Sequence, residues 1–244
     1  MEPQGENMAT AKNEEQQPAE GASARSAFLF EMDSVALGAR RIRYEVLASI
    51  LKEQRIELTP ILFSRYCLHP APSIYMPAFL AAMKYTAATP EQVVDRLMGE
   101  TTSRLMQKTT VISDGLIKWM EAALARGAAI ACASMLPQAA AEGVAAHLGF
   151  DRWGVKIFSA SPADKGFPHA ENWLRMAKAV GRNPKRCLAV VSSMATTKTA
   201  LAAMMNVVVV TDEFTEYQDF CGANLVCSDL KEVKPDEFFE QISF

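Results

Sequence analysis

From about residue 113 onward, short apolar runs alternate with segments of helical spacing. The runs are AAIACAS (128–134), VKIFSAS (155–161), CLAVVSS (187–193), NVVVVTD (206–212) and NLVC (224–227). Between them the spacing predicts helices from Ile117 to Ala125, Pro137 to Leu148, Glu171 to Val180 and Ala195 to Met205. Strands that are apolar throughout, rather than at every second residue, are buried on both faces. Such strands separated by helices define a parallel sheet with helices on both sides. A further run of this type, AFLFEM, opens at Ala27. It is separated from the others by a stretch read only as helical. There Val35, Ile42, Val46, Leu47, Ile50 and Leu51 recur at helical intervals, and Thr59-Pro60 and Thr89-Pro90 are helix starts with Thr as cap and Pro in the first turn. The architecture expected is a three-layer α/β core with a parallel sheet and an all-helical insertion after the first strand. The boundaries expected are 26–38 plus 113–244 for the core and 39–112 for the helices.

Residues 1–25 are rich in Glu, Gln, Ala and Pro and carry no apolar period, so a disordered tail is expected there. The tail has no apolar segment of the kind a secretory signal needs, and its acidic residues argue against a transit peptide. With 25 basic and 28 acidic residues the formal charge is −3, which gives no support to nucleic-acid or acidic-membrane binding. Half of the residues are hydrophobic, enough for a core that needs no metal or disulfide. Cys67, Cys132, Cys187, Cys221 and Cys227 are odd in number and lack metal-ligand spacing. They are expected as free buried thiols of a cytoplasmic protein.

In a parallel α/β sheet, ligands sit beyond the carboxyl ends of the strands. Those ends read Glu31-Met32-Asp33-Ser34, Ala133-Ser134, Ser192-Ser193 and Thr211-Asp212-Glu213, with Asp164-Lys165-Gly166 following the third strand. Carboxylates, hydroxyls and a lysine are therefore expected in one crevice. Glycine-rich phosphate loops and the G-x-S-x-G elbow are absent, so the dinucleotide, P-loop and α/β-hydrolase readings lose their main support. From the helical stretch, Arg40, Arg43, Arg65, His69 and Lys84 are the candidates to face the crevice.

Taken in this order, the strand ends resemble the haloacid dehalogenase (HAD-like) superfamily, in its β-phosphoglucomutase and phosphoglycolate phosphatase-like branch with a helical cap. AFLFEMDSVA is similar to the opening strand with its D-x-D motif, and Ser134 matches the motif II hydroxyl. Lys165 matches the motif III lysine, and CLAVVSSMATTKTALAAMMNVVVV is similar to the motif IV strand, helix and following strand. The resemblance implies a nucleophilic carboxylate at position 31 and a general acid and base at Asp33. It also implies phosphoryl contacts from Ser134 and Lys165 and a magnesium cofactor held by motif I and motif IV acids; without the metal, Ser134, Lys165, Ser192 and Ser193 are the groups expected to hold a small anion.

The chain departs from that pattern at two of these points. Glu31 stands at the nucleophile position, where Asp is usual, and Val191, Ser192 and Ser193 stand where motif IV acids are usual. The extra methylene displaces the carboxylate by about one bond length, and a misplacement of about 1 Å can cost ~100-fold in rate. Magnesium wants carboxylate oxygens in near-octahedral geometry. No metal is therefore expected unless another group compensates, and Asp212 and Glu213 lie one strand further along. The leading expectation is a protein impaired or inactive as a magnesium-dependent phosphatase, acting through a small phosphorylated ligand, an anion, or a protein partner at the cap or N-terminal tail. An active phosphohydrolase or phosphomutase using Glu31 and Asp33 on a small phosphorylated metabolite, and a plain interaction scaffold, remain open.

Overall fold

The computed structural model describes residues 26–69, 71–107, 110–159 and 169–244. Strand β1 (Ala27–Glu31) is buried at all five positions. It lies at the centre of the sheet, paired in parallel with β2 (Ala129–Ser134) on one side and β4 (Cys187–Val191) on the other. The full six-stranded order is β3-β2-β1-β4-β5-β6, with β3 at Lys156–Ser159, β5 at Asn206–Val210 and β6 at Leu225–Cys227, and every pairing is parallel.

Side chains alternate across a strand, so β1 serves two cores. Phe28 and Phe30 face one cluster with Trp119, Met120, Val144 and Phe150. Those residues come from α5 (Asp114–Ala125), α6 (Gln138–His147) and the turn that follows it. Ala27 and Leu29 face the other cluster with Trp173, Met176 and Ala200, from α7 (Ala170–Ala179) and α8 (Met194–Ala202). Helix α9 (Pro235–Gln241) closes the first face by setting Phe238 and Phe239 against Trp119.

Four helices lie between β1 and α5: α1 (Ala39–Lys52), α2 (Pro60–Tyr66), α3 (Pro72–Met83) and α4 (Pro90–Leu105). Thr59 and Thr89 cap α2 and α4 as their sequence predicts, and Gln92 completes a capping box with Thr89. The helix expected from Val35 starts later. Met32–Ala36 is a separate π-helical turn, and Gly38 at φ +58° breaks the chain before α1 begins at Ala39. That left-handed position suits glycine, and the break lets the turn aim Asp33 and Ser34 back at the strand ends.

The expectation of five buried thiols is corrected. Only Cys67, Cys132 and Cys187 are buried; Cys221 is exposed and Cys227 half-buried, because Cys221 lies in the turn between β5 and the edge strand β6. No helix among the described residues is long and apolar enough to cross a membrane. The tail expected at 1–25 lies outside the described residues.

Candidate functional site

The β1 register sets Glu31 beside Ala133, so the ends of β2 and β4 flank the end of β1. Glu31, Asp33, Ser134 and Ser193 line one crevice there, together with Arg40, Arg43 and Cys67. Ser192 borders it through hydrogen bonds. Lys165, expected in the same place, lies outside the described residues.

The Glu31 carboxylate is buried, 5 % exposed. Its Oε2 accepts hydrogen bonds from the hydroxyls of Ser34 (2.9 Å) and Ser192. Its Oε1 has no hydrogen-bond partner among the described residues. Asp33 is equally buried. Its Oδ1 accepts from Ser134 Oγ at 2.6 Å and its Oδ2 from the Met135 backbone N–H at 2.7 Å. The Arg43 guanidinium reaches Asp33 Oδ2 at 3.5 Å.

Arg40 is 8 % exposed, and three groups hold it. It donates to Ser192 Oγ at 2.9 Å, to the Ser192 carbonyl at 3.4 Å, and forms an ion pair with Asp212. Ser192 therefore accepts from Arg40 and donates to Glu31, joining a cation to a carboxylate through one hydroxyl. Asp212, one strand beyond the motif IV position, was among the strand ends expected at the crevice but not as a replacement for the motif IV acids. The turn after β5 instead brings it to Arg40, while its Oδ1 accepts from the Phe214 N–H and the Thr215 hydroxyl, each at 3.0 Å. Ser193 turns away from the carboxylates and caps α8 through the Thr196 N–H at 3.3 Å.

Of the five cationic candidates from the helical stretch, Arg40 and Arg43 reach the crevice. They stand three residues apart on α1 and so share one face of it. Arg65 and Lys84 are exposed, and Arg65 packs over the Tyr66 ring at 5.5 Å. His69 is half-buried, with Nδ1 accepting from the Ala71 N–H at 3.1 Å. Cys67 lines the crevice, but burial pushes its thiol pKa far up, which withholds the thiolate a nucleophile needs.

The arrangement decides what the crevice can hold. A hydroxyl has one proton to donate. Ser134 and Ser192 commit theirs to Asp33 and Glu31, so neither donates to an added oxyanion without releasing a buried carboxylate. The cavity volume is about 30 Å³, and since one water needs about 10–15 Å³ on this measure, about two waters fit. The described side chains do not suit a magnesium ion. Both Asp33 oxygens are engaged, Arg43 stands against that carboxylate and Arg40 behind the other. A dication there would meet two fixed positive charges.

No family model matches this sequence, and no curated protein matches it. Solved structures do. CbbY from Rhodobacter sphaeroides in complex with phosphate superposes with a TM-score of 0.70 at 14% identity, covering 85% of this chain and 96% of its own. β-Phosphoglucomutase from Clostridium difficile gives 0.69 at 18% identity, over 90% and 97%. A HAD family hydrolase from Deinococcus radiodurans with bound phosphate and sodium gives 0.68 at 20% identity, over 90% and 98%. The chain therefore has the fold of the HAD-like hydrolases, the fold the strand ends implied. At these identities the likeness fixes the fold and leaves the activity to the chain's own residues.

Proposed function

We propose that this chain is a HAD-fold protein that does not carry out magnesium-dependent phosphoryl transfer and acts by binding, with α1–α4 as a closed cap. One observation carries this reading: the positions that would attack, protonate and grip a phosphoryl group are bonded to one another instead. Glu31 is held by Ser34 and Ser192, and Asp33 by Ser134 and the Met135 N–H. Phosphoryl transfer depends on positioning and on neutralising the equatorial oxygens. Here the Ser134 and Ser192 hydroxyls are spent on the carboxylates, and the cavity is the size of about two waters. A closed crevice favours a protein partner on the outer surface over a small phosphorylated ligand inside.

One feature supports a second reading, an altered phosphohydrolase. Glu31 lines the crevice and its buried Oε1 has no hydrogen-bond partner among the described residues, which leaves that oxygen's lone pairs uncommitted for attack on phosphorus.

The deciding experiment is hydrolysis of p-nitrophenyl phosphate by the full chain with and without magnesium, beside Glu31→Ala. The first reading expects both proteins at the same background rate. Magnesium-dependent turnover lost in Glu31→Ala overturns it and establishes the second.

A further inference from the structure

We propose that Asp212 and Phe214 are positioning residues that latch helix α1 to the sheet, so that Arg40 and Arg43 stand as resident cations of the crevice. This inference rests on the reading above, that the crevice is not a magnesium-dependent phosphotransferase site.

The latch is a short stretch of the core that penetrates the helical insertion. Phe214 follows β5, yet it is 1 % exposed and belongs to the hydrophobic cluster of α1–α4, with Val46, Leu47, Phe63 and Phe79. Its ring centroid lies 4.8 Å from that of Phe63 and 5.3 Å from that of Tyr44. Tyr44 sits four residues after Arg40 on α1, on the same side of the helix. The aromatic contact and the arginines are thus set by one helical face.

Two residues earlier, Asp212 divides its carboxylate. Oδ1 holds its own turn through Phe214 N and Thr215 Oγ1, and Oδ2 holds Arg40. One carboxylate thus ties its own turn together and grips α1. At the rim Arg41 pairs with Glu213 at 2.8 Å, but both side chains are about half exposed and such a pair adds little. Swinging α1 away would bare Phe214 and strip Arg40 from Asp212 in the same movement.

A guanidinium stays charged at every accessible pH and is not lost by dilution. With Arg43 beside Asp33, and Arg40 paired with Asp212 and linked through Ser192 to Glu31, the chain itself sets two guanidiniums against these three carboxylates. A dication entering here meets two fixed guanidiniums and an Asp33 whose two oxygens are both engaged.

The test is the Arg40→Gln, Arg43→Gln double variant, followed by thermal unfolding with and without magnesium chloride at matched ionic strength. At about 10 mM magnesium the wild-type midpoint should stay within about 1 °C, while the variant, with its carboxylates released, should rise by about 3 °C. No rise in a folded double variant overturns the resident-cation inference and leaves the proposed function standing. Magnesium-dependent hydrolysis by the wild type overturns the proposed function instead. Should the double variant not fold, hydrogen exchange on the wild type decides. Amides of α1 should be protected as strongly as those of β5, and exchange about tenfold faster in α1 than in the interior of α4 overturns the latch.

Discussion

A serine hydroxyl can donate once, and at Ser192 and Ser134 that single proton is what separates a crevice joined to itself from one that could grip an anion. The same scale governs His69, three residues beyond the end of α2. Burial is the main cause that lowers its pKa from the ordinary 6.5, and the neighbouring His169 pushes in the same direction. The unfolded chain therefore binds a proton here more readily than the folded one. The stability this site contributes is fully present above the unfolded value and is lost as the pH falls through the lowered folded value. Urea unfolding at about pH 7.5 and about pH 5.5 should show wild type losing more stability on acidification than His69→Gln. Equal losses in the two proteins would show that His69 ionises alike in both states.

At the scale of elements, α5 shows how close packing fixes a helix against its neighbour. Gly115 lies in its first turn, where an added Cβ would come within 2.7 Å of the Lys231 backbone nitrogen and 3.0 Å of Asp229 and Leu230 side-chain atoms. The turn at Leu230–Glu232 is anchored there, since the Trp119 indole donates to the Leu230 carbonyl at 3.1 Å. Backbone cannot yield cheaply, so Gly115→Ala should destabilise by about 1–3 kcal/mol despite alanine's better helix propensity. Gly99 in α4 and Gly143 in α6 meet nothing within 4 Å, so alanine there should stabilise by about 0.5–1 kcal/mol each. Chemical unfolding of the three single variants reads all of this, and a neutral or stabilising Gly115→Ala would contradict the close approach. The contrast was invisible in the sequence, where all three glycines sit in helix-forming surroundings. Elements whose cause is local were legible: Thr59-Pro60 and Thr89-Pro90 started helices, and the apolar runs became strands, although β3 and β6 at the sheet edges are not buried on both faces as expected.

Across the whole molecule, the sheet and the place of the crevice were legible because strand ends in a parallel sheet must gather on one edge. Glu31, Asp33, Ser134 and Ser192 were brought together on that rule alone. The Arg40–Asp212 pair was not legible. Its partners lie 172 residues apart and meet only because a turn after β5 reaches into a helical insertion placed after β1. No periodicity encodes such a contact. Phe214 carries no periodic signal either: the residues around it, Asp212, Glu213 and Thr215, are polar and belong to a turn. Its burial in the cluster of α1–α4 makes one side chain common to both parts of the molecule. Wild type should therefore unfold in a single calorimetric transition, with α1–α4 and the sheet melting together. Phe214→Ala should cost about 3–5 kcal/mol, as large aromatic truncations in a core do. If that residue carries the coupling, the loss should fall mainly on the helical insertion, whose transition separates to lower temperature while that of the sheet moves little. A variant that still melts in one transition, merely at lower temperature, would mean that the coupling is spread over the Arg40–Asp212 pair and the chain connections rather than held by Phe214.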